Sequence, residues 1–124
     1  MRAIDSDTLR QRCLALVEEH YRDAHVSPTW LARTLYVSRR QLDRAFVEGA
    51  SVAEILARRR LRQVLVVAAL NVPVPMSDIV TSCGYSTYET FRAQCHRYLK
   101  RSPRAARAHF TSVLRISPAP TQAA

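Results

Sequence analysis

Apolar residues recur along this chain at three- and four-residue intervals, and the strict alternation of a half-buried strand is nearly absent. The pattern predicts an all-α protein of about seven helices. The first spans roughly Asp7 to Asp23, with Leu9, Cys13, Leu16, Val17 and Tyr21 on one stripe. Ser27 followed by Pro28 reads as an N-cap with a first-turn proline and opens a short helix through Leu35. Ser38 opens the next. Ser38 and Gln41 have the spacing of a capping box and Val37 and Leu42 that of a hydrophobic staple, and this helix is expected to run to Glu48, before Gly49. The longest helix extends from Ser51 to Leu70. Its second half, Val64 to Leu70, is apolar on every side and should be covered all round, between two groups of helices. Asn71, Pro73 and Pro75 end it. Shorter helices are expected over Met76–Cys83, from Thr87 or Tyr88 to Leu99, and from Ser102-Pro103 to Phe110, with residues 111–124 a disordered tail.

The second and third helices recur as the fifth and sixth. Leu31, Ala32 and Leu35 match Ile79, Val80 and Cys83 at an offset of 48, and Ser38, Leu42 and Phe46 match Thr87, Phe91 and Cys95 at 49. The one-residue change falls in the turn, where Gly84 permits it. Each copy is a short helix, a tight turn and a second helix opened by a capping residue, the pattern of a helix-turn-helix. A hairpin that only packs is the plainer alternative, and the repetition weighs against it. The architecture expected is two helix-turn-helix subdomains, over 7–49 and 76–110, joined by a long central helix over 51–71. At ~1.5 Å per residue that helix would be about 30 Å long, close to the ~34 Å between successive major-groove faces on one side of a duplex.

With 124 residues the chain holds about one domain. It has no apolar run of membrane-spanning length and no secretory signal pattern at Met1–Asp5, so a cytoplasmic location without membrane contact is expected. The net charge of +9 suits a polyanion, and its distribution is uneven. Residues 1–57 carry eight basic and eight acidic side chains, whereas 58–110 carry ten basic against Asp78 and Glu89. Cys13, Cys83 and Cys95 match no zinc or redox spacing and read as buried thiols. His20, His25, His96 and His109 have no ligand spacing, and neither a phosphate loop nor a catalytic triad is visible. No enzyme activity, metal or cofactor is expected.

If the third helix buries Leu42 and Phe46, then Arg39, Arg40, Asp43 and Arg44 point outward. Arginine can bridge guanine O6 and N7, and aspartate can accept from a cytosine amino group. For Arg40 base contact is favoured, with phosphate contact next and an idle surface charge last, and Asp43 is balanced between base contact and orienting a neighbouring arginine. On the matching face of the sixth helix lie Thr87, Tyr88, Glu89 and Arg92, with Arg92 the best base reader and Glu89 more simply a solvated carboxylate. Ser38, Arg58, Arg59 and Arg97 are candidates for phosphate contact. Arg58, Arg59, Arg60 and Arg62 form the densest charge cluster, and a helix cannot aim all four at one surface. Trp30 is either open to a partner or packed locally, and packing is favoured.

Several of these positions together resemble the DNA-binding region of the AraC/XylS family of bacterial regulators. The likeness rests on Leu31-Ala32, Val37-Ser38, Leu42, Arg44 and Phe46 in the first unit and Arg60-Leu61 in the connecting helix. It continues through Ile79, Cys83-Gly84-Tyr85, Phe91 and Ser102-Pro103, and spans about Leu9 to Phe110. The resemblance implies recognition helices in adjacent major grooves and a sequence-specific transcription regulator, commonly an activator touching RNA polymerase. It also implies a small member that binds double-stranded DNA as a monomer or weak dimer, with residues 1–110 as the DNA-binding domain. The chain departs from the family's pattern at Ala93, Cys95, Lys100 and Ala106, where arginine, an aromatic residue, glycine and tyrosine are usual. Ala93 and Cys95 keep a rival open, a module that binds another regulator or polymerase with little DNA binding of its own. The basic second half keeps open another, a non-specific nucleic-acid binder.

Overall fold

The computed structural model describes residues 4–116, all-helical throughout, with side chains to Leu114. The helix starts follow local capping chemistry. Asp5 accepts the Thr8 amide (2.9 Å) at the head of α1 (Ser6–His20), and Ser27 accepts that of Trp30 (3.0 Å) at α2 (Pro28–Thr34). The capping box forms at α3 (Arg39–Ala45): Ser38 Oγ accepts the Gln41 amide and Gln41 Oε1 accepts the Ser38 amide, both at 3.0 Å. Ser51 caps α4 (Val52–Ala69), and α5 (Met76–Ser82) starts at Pro75 without a side-chain cap. Thr87 caps α6 (Tyr88–Gln94), which passes into a π-helical turn over Cys95–Leu99, and Ser102 accepts the Ala105 amide at the start of α7 (Pro103–Ile116).

Two cores sit on one helix. The first joins Leu9, Cys13, Val17 and Tyr21 of the α1 segment to Leu31 and Ala32 of α2, to Leu42, Ala45 and Phe46, and to Val52 and Leu56 of α4. The second gathers around Leu61, Val64 and Leu65 of α4, with Ile79 and Val80, Cys83, Tyr85, Phe91, Cys95 and Ala106. The stripe of α4 thus serves both groups in succession, N-terminal half first.

Some boundaries and coverings differ from the sequence reading. The third helix stops at Ala45 rather than Glu48, because a tightened turn (Phe46 amide to the Asp43 carbonyl, 3.0 Å) folds Phe46 into the first core. The sixth helix does not continue regularly to Leu99. The wider π turn keeps Cys95 fully buried and brings Tyr98 and Leu99 against the second core, and it closes on Lys100 in the left-handed region (φ 58°). The apolar end of α4 is not covered all round: Val64, Leu65 and Ala68 are buried, but Leu70 is 68% exposed. The last helix continues past Phe110 to Ile116, so the start of the expected tail is helical. The rest of that tail, from residue 117, lies outside the described residues.

Candidate nucleic-acid interface

Both helix-turn-helix units turn through a left-handed residue, but for different reasons. Between α2 and α3 it is Tyr36 (φ 58°), 95% exposed, where a side chain meets only solvent. Between α5 and α6 it is Gly84 (φ 101°), which is buried. A β-carbon there would overlap the Tyr21 carbonyl oxygen and stand 2.6 Å from Arg60 Nε. Gly84 is therefore fixed by space as well as by φ, a requirement that neither the turn pattern nor the spacing announced.

On α3 the inner face is closed by Leu42, Ala45 and Phe46, and Arg39, Arg40, Asp43 and Arg44 all lie exposed on the other. Arg39 is steadied from two sides, donating to Thr29 Oγ1 of α2 (3.2 Å) and lying 3.5 Å from Asp43. Arg40 and Arg44 make no ion pair among the described residues. Ser38 is exposed beside them, its hydroxyl occupied by the cap. Thr29 was missed by sequence reasoning, since its only signal is proximity to Arg39 across the turn.

The face of α6 is built the same way with different chemistry. Phe91 is buried, Tyr88 leans edge-on against it (ring centroids 5.4 Å apart), and Thr87 caps Thr90. Glu89 and Arg92 are exposed and face each other at 3.4 Å, a loose surface pair. Beyond them Thr90, Ala93, Gln94, Arg97 and Tyr98 line a shallow groove of about 330 Å³ with Glu89. Arg97 is exposed there, its guanidinium 5.4 Å from the Tyr98 ring. Gln94 is held from beneath, accepting the Tyr85 phenol at 2.6 Å, and burial raises that phenol well above its ordinary pKa. Of the two departures that keep the rival reading open, Cys95 lies inside the second core, where burial pushes its thiol up to about 11; it alters packing and not the outer face. Ala93 does lie on that face, and shortens it.

The arginine cluster of α4 divides among three directions. Arg58 donates to Glu54 (2.7 Å) and to the Tyr98 carbonyl (3.2 Å). Arg59 forms a two-pronged pair with Glu18 (2.8 and 3.0 Å) and lies over the Tyr21 ring at 4.1 Å, and its hydrogen bond draws the Glu18 carboxyl below its usual pKa. Arg60 is buried: Nε donates to the Tyr21 carbonyl (2.8 Å), Nη2 to those of Asp23 (2.9 Å) and Val26 (3.0 Å). Arg62 is exposed. Trp30 packs, half-buried, edge-on to His20 at 5.3 Å.

Among the described residues no group of three or more metal-ligating side chains occurs, and no helix is long and apolar enough to cross a membrane. Two solved structures share the fold. The C-terminal domain of AraT, a response regulator from Geobacillus stearothermophilus, superposes with a TM-score of 0.70 at 19% identity over 92% of each chain. A protein of unknown function from Listeria innocua does so with 0.69 at 20% identity, over 81% of this chain and 95% of its own. No curated protein matches. At the level of sequence, the family described as helix-turn-helix domain matches residues 31–118, from the second helix of the first unit through the last helix. The chain therefore belongs to the helix-turn-helix domain family, in its AraC type, and has the architecture of a DNA-binding transcription regulator.

Proposed function

We propose that the protein regulates transcription by binding double-stranded DNA sequence-specifically, with α3 and α6 as recognition helices in two adjacent major-groove segments. The observation that carries the reading is on α3. Arg40 and Arg44 stand exposed and without an ion-pair partner on a helix whose opposite face is fully packed and whose start is rigidly capped. Arg39, fixed by Thr29 and Asp43, is presented in one orientation beside them. On α6, Thr87, Tyr88, Glu89 and Arg92 fill the corresponding places, with Arg92 the base reader and Arg97 and Ser38 set toward phosphate. Arg58 and Arg59 are occupied within the protein and contribute field rather than direct contact. At ~1.5 Å per residue, the 18 residues of α4 make a spacer of about 27 Å between the units. The family likeness extends the reading to a bacterial, cytoplasmic activator with RNA polymerase as a further partner, acting as a monomer or weak dimer.

Competition binding with genomic fragments tests this. One fragment should survive an excess of random DNA, and Arg40→Ala should then weaken it by roughly 1 to 3 kcal/mol at a single base step. Equal weakening on all sequences would assign Arg40 to phosphate, and no preferred fragment would refute sequence-specific regulation. The exposed, side-chain-poor Ala93 favours one other reading, that α6 docks on a protein; loss of a regulator or polymerase complex on Arg92→Ala, with DNA binding intact, would reveal it.

A further inference from the structure

Three consecutive arginines of the central helix are turned inward or sideways, onto both units at once. Arg59 holds α1 through Glu18 and the Tyr21 ring. Arg60 grips the loop after α1 through three carbonyls, at Tyr21, Asp23 and Val26. Arg58 reaches the other way, to the Tyr98 carbonyl at the end of the second unit's recognition segment. Over Arg60 sits Gly84, the turn residue of the second unit, so close that no side chain fits between it, the Tyr21 carbonyl and the guanidinium. The turn of one helix-turn-helix thus rests directly on the loop of the other, with a buried cation as the pin. A charge buried 9% exposed without a carboxylate partner is costly to remove from water. Three carbonyls at 2.8–3.0 Å compensate it only while the loop, α4 and the second turn keep this arrangement.

We propose that Arg60, seated under Gly84 and backed by the Arg59–Glu18 pair, is the positioning residue that fixes the phase between the two recognition helices, so that the protein accepts DNA elements at one separation. The inference rests on the DNA-reading function above. On a duplex one base pair of extra separation shifts the second element by about 3.4 Å and rotates it by about 35°, which a rigid joint cannot follow and a loose one can.

Selection from a library of random double-stranded oligonucleotides separates the cases, using the full chain and its Arg60→Lys variant, which keeps the charge and loses the fork. Wild type should enrich two short elements at one separation. Arg60→Lys should enrich the same elements at several separations, with discrimination against a one-base-pair insertion falling about tenfold, on the scale of one mismatched base pair. Spin labels on Glu48→Cys and Ala108→Cys, both at exposed positions, should give a narrow inter-unit distance distribution in wild type and a broad one in the variant. A folded Arg60→Lys protein with unchanged separation preference, or one that loses the elements themselves, overturns the proposal. Should that variant not fold, Glu18→Gln opens the same joint from its exposed side, and an unchanged separation preference there overturns it equally. A wild type that enriches no two-part sequence refutes the DNA reading itself.

Discussion

Among the described residues, three with side chains occupy the left-handed region, Tyr36, Asn71 and, at the close of the π turn, Lys100. Its backbone already has the conformation a glycine would adopt, and its side chain is exposed. Lys100→Gly should therefore raise the unfolding free energy by about 1 kcal/mol, read by chemical denaturation. Gly84→Ala should do the reverse and cost more than about 3 kcal/mol, because the methyl group meets a backbone oxygen that cannot move aside. The thiols give a pH test. Burial raises Cys13 and Cys95 from 9.0 to about 11, so the native state keeps them neutral where the unfolded chain has begun to ionise. Their contribution is complete below pH 9 and should be lost as the pH rises from 9 through 11, visible as a falling melting temperature. Thiol reagents should react with the three cysteines only upon unfolding.

At the scale of elements, side-chain caps decide where the α-helices other than α5 begin, and tertiary packing decides where α3 and α6 stop. Ser38→Ala removes one half of the box at the head of α3 and should cost about 1 kcal/mol of stability. If α3 reads DNA, the same change should weaken specific binding more than non-specific binding, since the cap fixes the angle of Arg39 and Arg40. Caps were legible from Ser27, Ser38, Thr87 and Ser102 because donor and acceptor lie within three residues, whereas the caps at Asp5 and Ser51 were not read. Helix ends were less so. Phe46 leaves α3 early because its ring is drawn into the first core, and Cys95 leaves α6 because the π turn serves the second. The outward faces of α3 and α6 followed from the buried stripes, whereas Thr29 supporting Arg39 and Tyr85 supporting Gln94 come from contacts across a turn.

At the scale of the whole molecule, α4 contributes buried residues to both cores and couples them. Unfolding should accordingly be a single transition. Trp30, the only tryptophan, lies in the first unit, so its fluorescence should report the same midpoint as helical circular dichroism of the whole chain. Two separated midpoints would show that the joint at Arg60 transmits little. The basic half, residues 58–110, should make DNA affinity steeply salt-dependent, by about a thousandfold between roughly 50 and 200 mM salt if some six phosphates are neutralised.

The chain by itself determined its helices, its repeated helix-turn-helix pattern and the outward faces of α3 and α6. All of these rest on interactions within a few residues or on the period of one helix. What Arg58, Arg59 and Arg60 do was decided only by the fold. Apart from Glu54 for Arg58 and Gln63 for Arg59, each four residues off on the same helix, their partners lie 34 to 41 residues away, and in the case of Arg60 they are backbone carbonyls, which every residue carries and no side-chain pattern distinguishes. A run of arginines reads the same in sequence whether it faces a polyanion or pins two subdomains together, and only the packing of Tyr21 and Gly84 around Arg60 tells them apart.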